Sequence, residues 1–546
     1  MSGVLDSLNV TAKTSLSELL EKFQSSTNDL LLLDERTVIS EPHLELLTDY
    51  PRSTTAALVA VVKNGNTLVR QNRVASASSA SHKVTIGNRD FVGALRLSQK
   101  QRDEIIPALQ NAISHKATGH ALDLLLVALV RATIKVDAVD LLSAPWSRSD
   151  ESAERERVKT EIANLNMAAL RLKIANRAND GFFSVFFLRK FSKILTWVAV
   201  KVGATPNQVT LLSFAIGLYS AYSFSRGTFL STILGALLLQ LSIIVDCVDG
   251  ELARYTRKFS KLGAWLDAVT DRVKEYLVFM GLAYGASLEG RDLWIPAMAM
   301  MVIQTFRHLS DYNFAQSVKI RAEEKFSTPI DFMAEFDGIV PSERDPKGRL
   351  RYWLGKMIQF PIGERWLVIS ASAVIGGAAF TFTLMPILAF ISAVFVFRGR
   401  FRRTREMEMV ALKSSLIINQ SDLLGIKSSF TKRSSWLEPS LLRLIEAIVL
   451  ILFFIQQDVL GVASFLLLFS IVFHHYDNLY RALQNESKPG WLNALGLYVG
   501  GRILTIGIAL LLGLDIALIA GYFSLIFLVV SSIQWVIGHK QNRVSE

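Results

Sequence analysis

The stretch VDCVDGELARYTRKFSKLGAWLDAVTD, residues 245–271, places four aspartates in or beside apolar runs of the chain. Asp246 and Asp249 are three residues apart, and Asp267 and Asp271 are four apart. On a helix, each pair therefore projects from one face. An ionised carboxylate inside a bilayer costs at least about 2.5–3.5 kcal/mol unless it is compensated. Four carboxylates at this spacing predict a functional site within membrane helices.

Two such faces packed together form a cage of oxygen ligands. Carboxylates alone favour Mg²⁺ or Mn²⁺, and four are enough for two divalent cations roughly 3.5–4 Å apart. Gly250, Ala253 and Gly263 leave room for a flat base or a diphosphate near the aspartates. Arg254 can bind phosphate with two hydrogen bonds. The alternative is that the aspartates mark helix ends or pair with neighbouring cations, which their regular spacing disfavours. These cations are Arg254, Arg257, Arg272 and Lys274.

The composition of the chain is that of a membrane protein. Of 546 residues, 51% are hydrophobic and 20% are charged, and 59 Lys and Arg against 48 Asp and Glu give a net charge of +11. Cys247 is the only cysteine, which excludes a disulfide framework and a cysteine-ligated zinc or iron–sulfur site within one chain. The N-terminal segment lacks the basic patch and apolar core of a secretory signal peptide, so we expect the first region to stay in the cytoplasm.

Apolar runs long enough to cross a bilayer, which takes roughly 20 residues, follow one another after residue 206. Basic residues such as Lys325 and Arg344 gather on one side, whereas the opposite loops offer little beyond Arg226 and Arg291. This asymmetry predicts a cell-membrane protein with both termini cytoplasmic. It also accounts for the positive charge, so we expect no nucleic-acid partner. The ten predicted spans are 207–225, 229–252, 262–285, 292–312, 365–381, 383–398, 440–456, 458–476, 493–513 and 516–537.

The region before the spans alternates short β-branched runs with helical stretches, which predicts a small soluble α/β domain. Residues 148–178 predict a connecting helix, and Phe182–Val200 predicts a helix in the membrane interface, with Phe191 on its apolar side and Arg189 on its polar side. The predicted strands are Leu30–Leu33, Ala56–Val62, Phe91–Leu95 and Thr133–Val136. The predicted helices are Gln99–His115 and His120–Val130.

The spacing D-x2-D-G-x2-A-R-x8-G-x3-D-x3-D, complete from Asp246 to Asp271, resembles the signature of the CDP-alcohol phosphotransferases. The likeness in helix pattern extends over residues 185–400. It implies a six-helix membrane core that binds a CDP-linked alcohol and two divalent cations, Mg²⁺ or Mn²⁺. It also implies transfer of the phospho-alcohol to an acceptor hydroxyl, with release of CMP.

Carried over residue by residue, the resemblance makes Asp246, Asp249 and Asp267 metal ligands and Asp271 both a ligand and the catalytic base. It implies further contacts with the CDP moiety. For Ser260 and residues 207–210, helix capping is the alternative explanation. The residues placed at the CDP moiety or beside it are Asn207, Gln208, Val209, Thr210, Gly250, Ala253, Arg254, Ser260 and Gly263.

The flanking regions carry weaker resemblances. The segments at 30–51 and 88–98 are faintly similar to the later part of a sugar-nucleotidyltransferase-like domain, without the Gly-rich loop that cradles a nucleoside triphosphate. We therefore do not expect this region to make its own CDP-alcohol. Asp34 is either a metal ligand inherited from such a domain or a turn residue after a strand. The DGFFSVFF segment at 180–187 and the extra C-terminal spans most resemble actinobacterial family members.

Two more polar clusters end predicted spans. The residues Arg307, His308 and Asp311 are candidates for acceptor contacts. The run His474–Asp477 is either a phosphate or metal site based on a His pair or a satisfied interfacial cluster.

The expected fold class is an all-α polytopic membrane protein, with a six-helix core and about four further spans, behind an N-terminal soluble α/β domain. The predicted divisions are a cytoplasmic α/β domain at 1–147, a connecting helix at 148–182, the phosphotransferase core at 183–400, a basic cytoplasmic linker at 401–438 and C-terminal membrane helices at 439–546.

The expected partners are a CDP-alcohol donor, a hydroxyl acceptor and membrane lipids, and a homodimer is an open alternative to a monomer. The donor is either CDP-diacylglycerol, with an acceptor such as inositol phosphate, or a soluble CDP-inositol or CDP-polyol. The N-terminal appendage favours inositol or polyol phosphate chemistry by family analogy. A transporter and an inactive scaffold are the competing classes. The segments after residue 440 contain no second D-x2-D-G pattern, and no signature carboxylate is missing, which argues against both.

Overall fold

The computed structural model describes most of the chain and divides it into two compact units. The first contains the N-terminal α/β region with residues 254–259, and the second contains most of the chain from residue 181 onward. Lys325, Arg344 and residues 407–433 of the predicted linker 401–438 lie outside the described residues. The described residues are 5–48, 55–70, 73–80, 82–116, 118–141, 144–175, 181–324, 346–406, 434–483 and 489–545.

The first unit is an α/β structure, as the alternating pattern predicts. Its described strands are β1 (Asp6–Val10), β2 (Leu30–Asp34), β3 (Thr37–Val38), β4 (Thr55–Val61), β5 (Thr67–Arg70), β6 (Arg73–Ala77), β7 (Arg89–Leu97), β8 (Val136–Leu141) and β9 (Ser147–Arg148). The helices are α1 (Leu16–Ser25), α2 (Glu41–Thr48), α3 (Arg102–Ser114), α4 (Ala121–Arg131), α5 (Ser152–Ala163) and α6 (Met167–Ala175).

Seven of these strands form one mixed sheet in the order β1-β2-β7-β4-β8-β6-β5, while β3 and β9 form a separate pair. β1 is parallel to β2 and β4 is parallel to β8, whereas β7 runs antiparallel between β2 and β4. Leu30 and Leu32 of β2 pack into a core with Phe23 of α1, and Leu31 packs into a second core with Leu47 of α2. Because both faces are covered, β2 is a continuous apolar run.

Two predicted elements of this region differ from the structure. The strand predicted at Thr133–Val136 begins only at Val136, because Thr133 has a φ of 59° in the turn that ends α4. The predicted connecting helix is interrupted between α5 and α6. Asn166 accepts a hydrogen bond from the backbone of Ala169 (3.0 Å) and so starts a new helix there.

The second unit is helical. Its described helices are α7 (Arg189–Lys201), α8 (Pro206–Ser225), α9 (Phe229–Thr256), α10 (Lys261–Leu288), α11 (Trp294–Glu324), α12 (Pro346–Ile358), α13 (Ile362–Glu406), α14 (Glu438–Gln456), α15 (Val462–Leu483), α16 (Gly490–Leu495), α17 (Tyr498–Leu511), α18 (Ile516–Ser524) and α19 (Ser531–Ser545). Short π-helical segments, Ser184–Leu188 and Leu525–Val530, precede α7 and α19.

Five helices among the described residues are long and apolar enough to cross a membrane, which makes this a multi-pass membrane protein. They are Phe229–Thr256, Ile362–Arg405, Val462–Leu483, Gly490–Leu511 and Ile516–Gly538. The predicted spans 207–225, 262–285, 292–312 and 440–456 are helical as α8, α10, α11 and α14. Polar side chains interrupt their apolar runs, so the predicted total of ten spans is not confirmed.

The predicted pair of spans at 365–381 and 383–398 forms one long element with a break inside it. The break falls at Gly377, whose φ of 70° lies in the left-handed region that glycine adopts readily. The apolar pattern runs through this position without interruption, which is why the sequence placed the boundary a few residues later.

Helix α7 follows the predicted interfacial pattern in part. Phe191, Ile194 and Trp197 are exposed apolar side chains on one face. Arg189, predicted on the polar face, is instead buried, and its Nη1 lies 2.7 Å from Oε1 of the fully buried Glu251. A buried carboxylate requires a cationic or hydrogen-bonding partner, which draws Arg189 inward.

Helices α8 and α10 pack closely along each other. A Cβ at Gly281 of α10 would stand 2.3 Å from the carbonyl oxygen of Ala221 in α8. Small residues at such a crossing let two membrane helices approach backbone to backbone. This contact fixes the position of α10, which carries Asp267 and Asp271.

Candidate active site

Three of the four signature carboxylates meet between α9 and α10. One oxygen each from Asp246, Asp267 and Asp271 lie within 4.8 Å of one another. Each of these residues is partly accessible rather than fully buried. The predicted packing of two acidic helix faces therefore brings Asp246 together with both aspartates of α10.

Asp249 lies one turn after Asp246 and is outside that close group of three. It is nearly buried, and its Oδ2 accepts a hydrogen bond of 2.5 Å from the hydroxyl of Thr210 in α8. Thr210 is thus a partner of a signature aspartate. Val209 is buried beside it and packs against Val245 and Val248 of α9.

The other predicted nucleotide contacts of this region lie at helix starts. Gln208 closes a capping box with Thr205, whose backbone N–H donates to Gln208 Oε1 at 2.9 Å. Ser260 caps α10 by accepting from the backbone N–H of Gly263 at 2.9 Å. A Cβ at Gly263 would stand 2.8 Å from Oδ1 of Asn207, so the starts of α8 and α10 lie side by side.

Gly250, Ala253 and Arg254 follow the aspartates along α9, with Gly250 and Ala253 partly accessible. The Nε of Arg254 donates a hydrogen bond to the backbone carbonyl of Ala175, within the first unit. Its predicted phosphate contact stays a prediction.

Lys274 belongs to this site, although the sequence pattern alone predicts it only as an alternative partner for the aspartates. Its ammonium lies 2.6 Å from Asp246 Oδ1 and 3.1 Å from Asp271 Oδ1, and the side chain is fully buried. Helical spacing could have identified it, since Lys274 follows Asp271 by three residues and Asp267 by seven.

Charged residues behind α10 form a second network. Glu275 accepts from Arg365 of α13 at 2.9 and 3.1 Å and from Arg272 at 3.0 Å. Glu275 and Arg365 are almost completely buried. This ion pair ties the helix with the catalytic candidates to α13.

The cluster predicted to contact the acceptor has protein partners in the structure. His308 lies 2.8 Å through Nδ1 from the hydroxyl of Tyr476 and 3.3 Å through Nε2 from Arg272. Arg307 donates to the backbone carbonyls of Gln359 and Phe360, and Asp311 pairs with Arg400. Their predicted role at the acceptor stays a prediction.

The run His474–Asp477 is buried within the helical unit. His475 Nε2 lies 2.9 Å from Glu446 Oε2, and His474 stacks on Phe527 with ring centroids 4.0 Å apart. Asp477 accepts from Trp535 Nε1 at 2.6 Å. Protein groups therefore contact His475 Nε2, the His474 ring and the Asp477 carboxylate, which favours an internal polar cluster over a metal or phosphate site.

C-terminal helices reach the helix that carries Asp267 and Asp271. Trp535 of α19 stacks on Trp265 of α10, with ring centroids 5.3 Å apart. The hydroxyls of Tyr476 in α15 and Tyr276 in α10 lie 3.1 Å apart. The last quarter of the chain therefore packs directly against the site helix.

Asp34 of the first unit is buried at the end of β2. Its oxygens accept from Arg36 at 2.8 Å and from Arg148 at 2.7 Å. Burial raises the pKa of Asp34, but the hydrogen bonds from Arg36 and the charge of Arg148 outweigh it and bring the pKa from 3.8 to about 2. A carboxylate already held by two guanidinium groups supports a structural role.

We expect Asp34→Asn to lower the free energy of unfolding of the N-terminal region by about 2 kcal/mol at pH 7. Because the folded-state pKa is depressed, this stabilisation is present above pH 4 and is lost as the pH falls from about 4 to about 2. Pulse proteolysis in urea, with thermolysin at pH 7 and pepsin at pH 3, measures it. The exposed Asp103→Asn is the control, and an equal deficit at both pH values would contradict the assignment.

The three clustered carboxylates fit a divalent cation. All the clustered donors are oxygens, and a separation within 4.8 Å lets one ion at about 2.0–2.6 Å from each oxygen contact all three. Hard oxygen ligands of this kind suit magnesium or manganese rather than zinc or copper.

Residues 203–340 match the family model described as CDP-alcohol phosphatidyltransferase, and this range includes all four aspartates. Residues 369–546 match a model described as a family of unknown function (DUF5941). The chain therefore contains a region similar to the CDP-alcohol phosphatidyltransferase model, followed by a region similar to the model of unknown function.

Three curated relatives are similar to part of the chain. The bifunctional IPC transferase and DIPP synthase of Aquifex aeolicus is 36% identical over 134 residues, which are 24% of this chain and 27% of the relative. The protein of that name from Thermococcus kodakarensis is 31% identical over 171 residues, 31% of this chain and 36% of the relative. The phosphatidylinositol phosphate synthase of Mycobacterium tuberculosis is 31% identical over 137 residues, 24% of this chain and 59% of the relative. The chain thus spans between 27% and 59% of these relatives.

Proposed function

We propose, from the CDP-alcohol phosphatidyltransferase domain at residues 203–340, that this protein is an integral-membrane CDP-alcohol phosphotransferase. It transfers a phospho-alcohol group from a CDP-alcohol to an acceptor hydroxyl and releases CMP. The observation that carries the proposal is the meeting of Asp246, Asp267 and Asp271 between two helices of the membrane unit. A cluster of carboxylates in this environment is costly, so its presence supports a functional site.

The proposal assigns a polar substrate of the inositol phosphate or polyol phosphate class. The name of the mycobacterial relative, a phosphatidylinositol phosphate synthase, supports this class. The other substrate is then a lipid, which agrees with a site between membrane helices. The proposal is made for a single chain and does not require a homodimer.

The proposed organisation keeps the predicted divisions. The α/β region at 1–147 and the linker at 401–438 are cytoplasmic, and 148–182 connects the α/β region to the membrane core at 183–400. The six membrane helices of this core are α8, α9, α10, α11 and the two halves of α13 on either side of Gly377. Further membrane helices follow at 439–546, and both termini face the cytoplasm of a cell-membrane protein. The basic loops on one side of the predicted spans support this orientation.

In the proposed reaction, the acceptor oxygen attacks the phosphorus that carries the donor's alcohol. The new P–O bond forms as the bond to the bridging oxygen of the diphosphate breaks, and CMP leaves with that oxygen. Asp271 accepts the proton of the acceptor hydroxyl. Thr210 orients Asp249 through the 2.5 Å hydrogen bond, and Arg254 is assigned to the donor phosphates. Two divalent cations, Mg²⁺ or Mn²⁺, bound by the four aspartates would neutralise the charge of the diphosphate.

The experiment that tests the proposal is an assay of CMP release by the purified full-length protein in lipid nanodiscs. CDP-diacylglycerol, CDP-inositol and CDP-glycerol are each combined with inositol, inositol phosphate or a lipid hydroxyl acceptor. We expect acceptor-dependent CMP release with at least one pair, and none from Asp246→Ala. Folded protein that releases no CMP with any pair would contradict the proposal.

We expect deletion of residues 1–178 to leave metal-dependent CMP release measurable. The reason is that the groups assigned to the chemistry lie between Asn207 and Asp271. The truncated chain is assayed in membranes, with its insertion checked by protease accessibility. Complete loss of activity in a correctly inserted truncation would instead show that the N-terminal region contributes to the site.

A further inference from the structure

The side chain of Lys274 ends among the carboxylates of the candidate site. Its Nζ lies 2.6 Å from Asp246 Oδ1 and 3.1 Å from Asp271 Oδ1. It also donates to the hydroxyl of Ser213 in α8 at 2.8 Å. One ammonium thus bridges the first and the fourth signature aspartates, which belong to different helices.

The neighbouring helices make room for this lysine. A Cβ at Gly217 of α8 would stand 2.6 Å from both Cγ and Cδ of Lys274, so the aliphatic part passes over a glycine. The ring of Trp366 in α13 lies 5.2 Å from the ammonium, within the range of a cation–π contact. Lys274 is fully buried. The lysine is therefore held in place by three other helices.

A charge buried at this depth is costly, and pairing with carboxylates offsets that cost. A divalent cation bound by Asp246 and Asp271 would share their oxygens with the ammonium. Two positive charges a few Å apart repel each other strongly where water is excluded. The lysine and a divalent cation therefore compete for the same pair of aspartates.

We propose that Lys274 is a resident cation of the site, which keeps the affinity for divalent cations low until the negatively charged CDP-alcohol is present. This inference rests on the proposed function, because the diphosphate must supply the charge that recruits the cations. In the absence of metal, the ammonium holds Asp246 and Asp271 together. Because binding couplings are reciprocal, donor and metal then strengthen each other's binding.

The test is Mn²⁺ binding to the full-length protein in detergent without nucleotide, measured by the electron paramagnetic resonance signal of free Mn²⁺. We expect Lys274→Met to bind Mn²⁺ about tenfold or more tightly than the wild type. Lys193→Met, which changes an exposed lysine of α7, should not differ from the wild type. CDP-diacylglycerol and CDP-inositol are then added separately. The CDP-alcohol that supports CMP release should raise the Mn²⁺ affinity of the wild type more than that of Lys274→Met.

Two further variants separate charge from packing. Lys274→Gln retains a hydrogen-bond donor without the charge and should also bind Mn²⁺ more tightly, whereas Lys274→Arg retains the charge and should not. Thermal unfolding gives a second readout. In chelator, the neutral variants should unfold at a lower temperature than the wild type, and Mn²⁺ should restore them.

Mn²⁺ affinity in Lys274→Met and Lys274→Gln no higher than in the wild type would overturn the role of Lys274 and leave the proposed function standing. Failure of wild type and all variants to bind Mn²⁺, even with CDP-alcohols present, would instead remove the metal site on which the proposed function depends.

Discussion

Replacing Asp271 by asparagine is expected to reduce transfer by about 10²–10⁴-fold, the usual contribution of a general base. Asparagine keeps the shape and one oxygen, so it can still serve as a ligand, but it cannot accept the acceptor's proton. Affinity for the CDP-alcohol should fall much less, since Asp246, Asp249 and Asp267 remain. Calorimetric titration of the CDP-alcohol in the presence of metal, beside the CMP-release assay, separates the two effects.

Asp249→Asn should behave differently, with loss of both metal-dependent donor binding and transfer. Its carboxylate is nearly buried and is oriented by Thr210, so removing the charge weakens an anchor while the Thr210 hydrogen bond can persist. Asp458→Asn, in an exposed turn with a φ of 50° that asparagine tolerates, is the matched control. Equal loss of donor binding in Asp271→Asn and Asp249→Asn would identify Asp271 as mainly another ligand, and the assignment of the base would have to be withdrawn.

A second large effect is expected from removal of divalent cations. In excess chelator, CMP release should fall to background, and added Mg²⁺ or Mn²⁺ should restore it, because the clustered donors of the site are hard oxygen ligands. The protein should remain folded in chelator, since Lys274 pairs with Asp246 and Asp271.

Thermal unfolding in chelator, measured in parallel with activity, distinguishes loss of chemistry from loss of structure. Robust CMP release in excess chelator would contradict the proposal that the reaction requires divalent cations bound by the aspartates. A collapse of the fold on chelation would contradict the bridging role of Lys274 but not the need for metal.

Local spacing predicted that Asp246 would lie near Asp267 and Asp271, although Asp249 lies outside this close group. The intervals between Asp246 and Asp249 and between Asp267 and Asp271 fix which helix face each carboxylate occupies, whatever the rest of the fold does. Capping is similarly local, since Ser260 Oγ accepts a hydrogen bond from the backbone N–H of Gly263, three positions later, at the start of α10. These features depend only on backbone geometry over one or two turns.

Partners distant in sequence were not predictable in this way. Glu275 pairs with Arg365, and Tyr476 contacts His308, because helices far apart in the chain pack side by side. No periodicity in either segment encodes that neighbour. The boundary predicted between the spans 365–381 and 383–398 lies a few residues after the break at Gly377, since hydropathy reports which residues prefer lipid and not where the backbone changes direction.

The stacking of Trp535 on Trp265 bears on how this architecture can be recombined. The region matched to the family of unknown function starts at residue 369, inside α13, just after Arg365, which pairs with the site helix. A hybrid protein joined at residue 369 would place a C-terminal half from another protein against Trp265, whose ring stacks on Trp535 in this chain. Functional hybrids should instead join between α13 and α14 and take Trp265 and Trp535 from the same parent protein. The two halves of the membrane unit are therefore expected to evolve together.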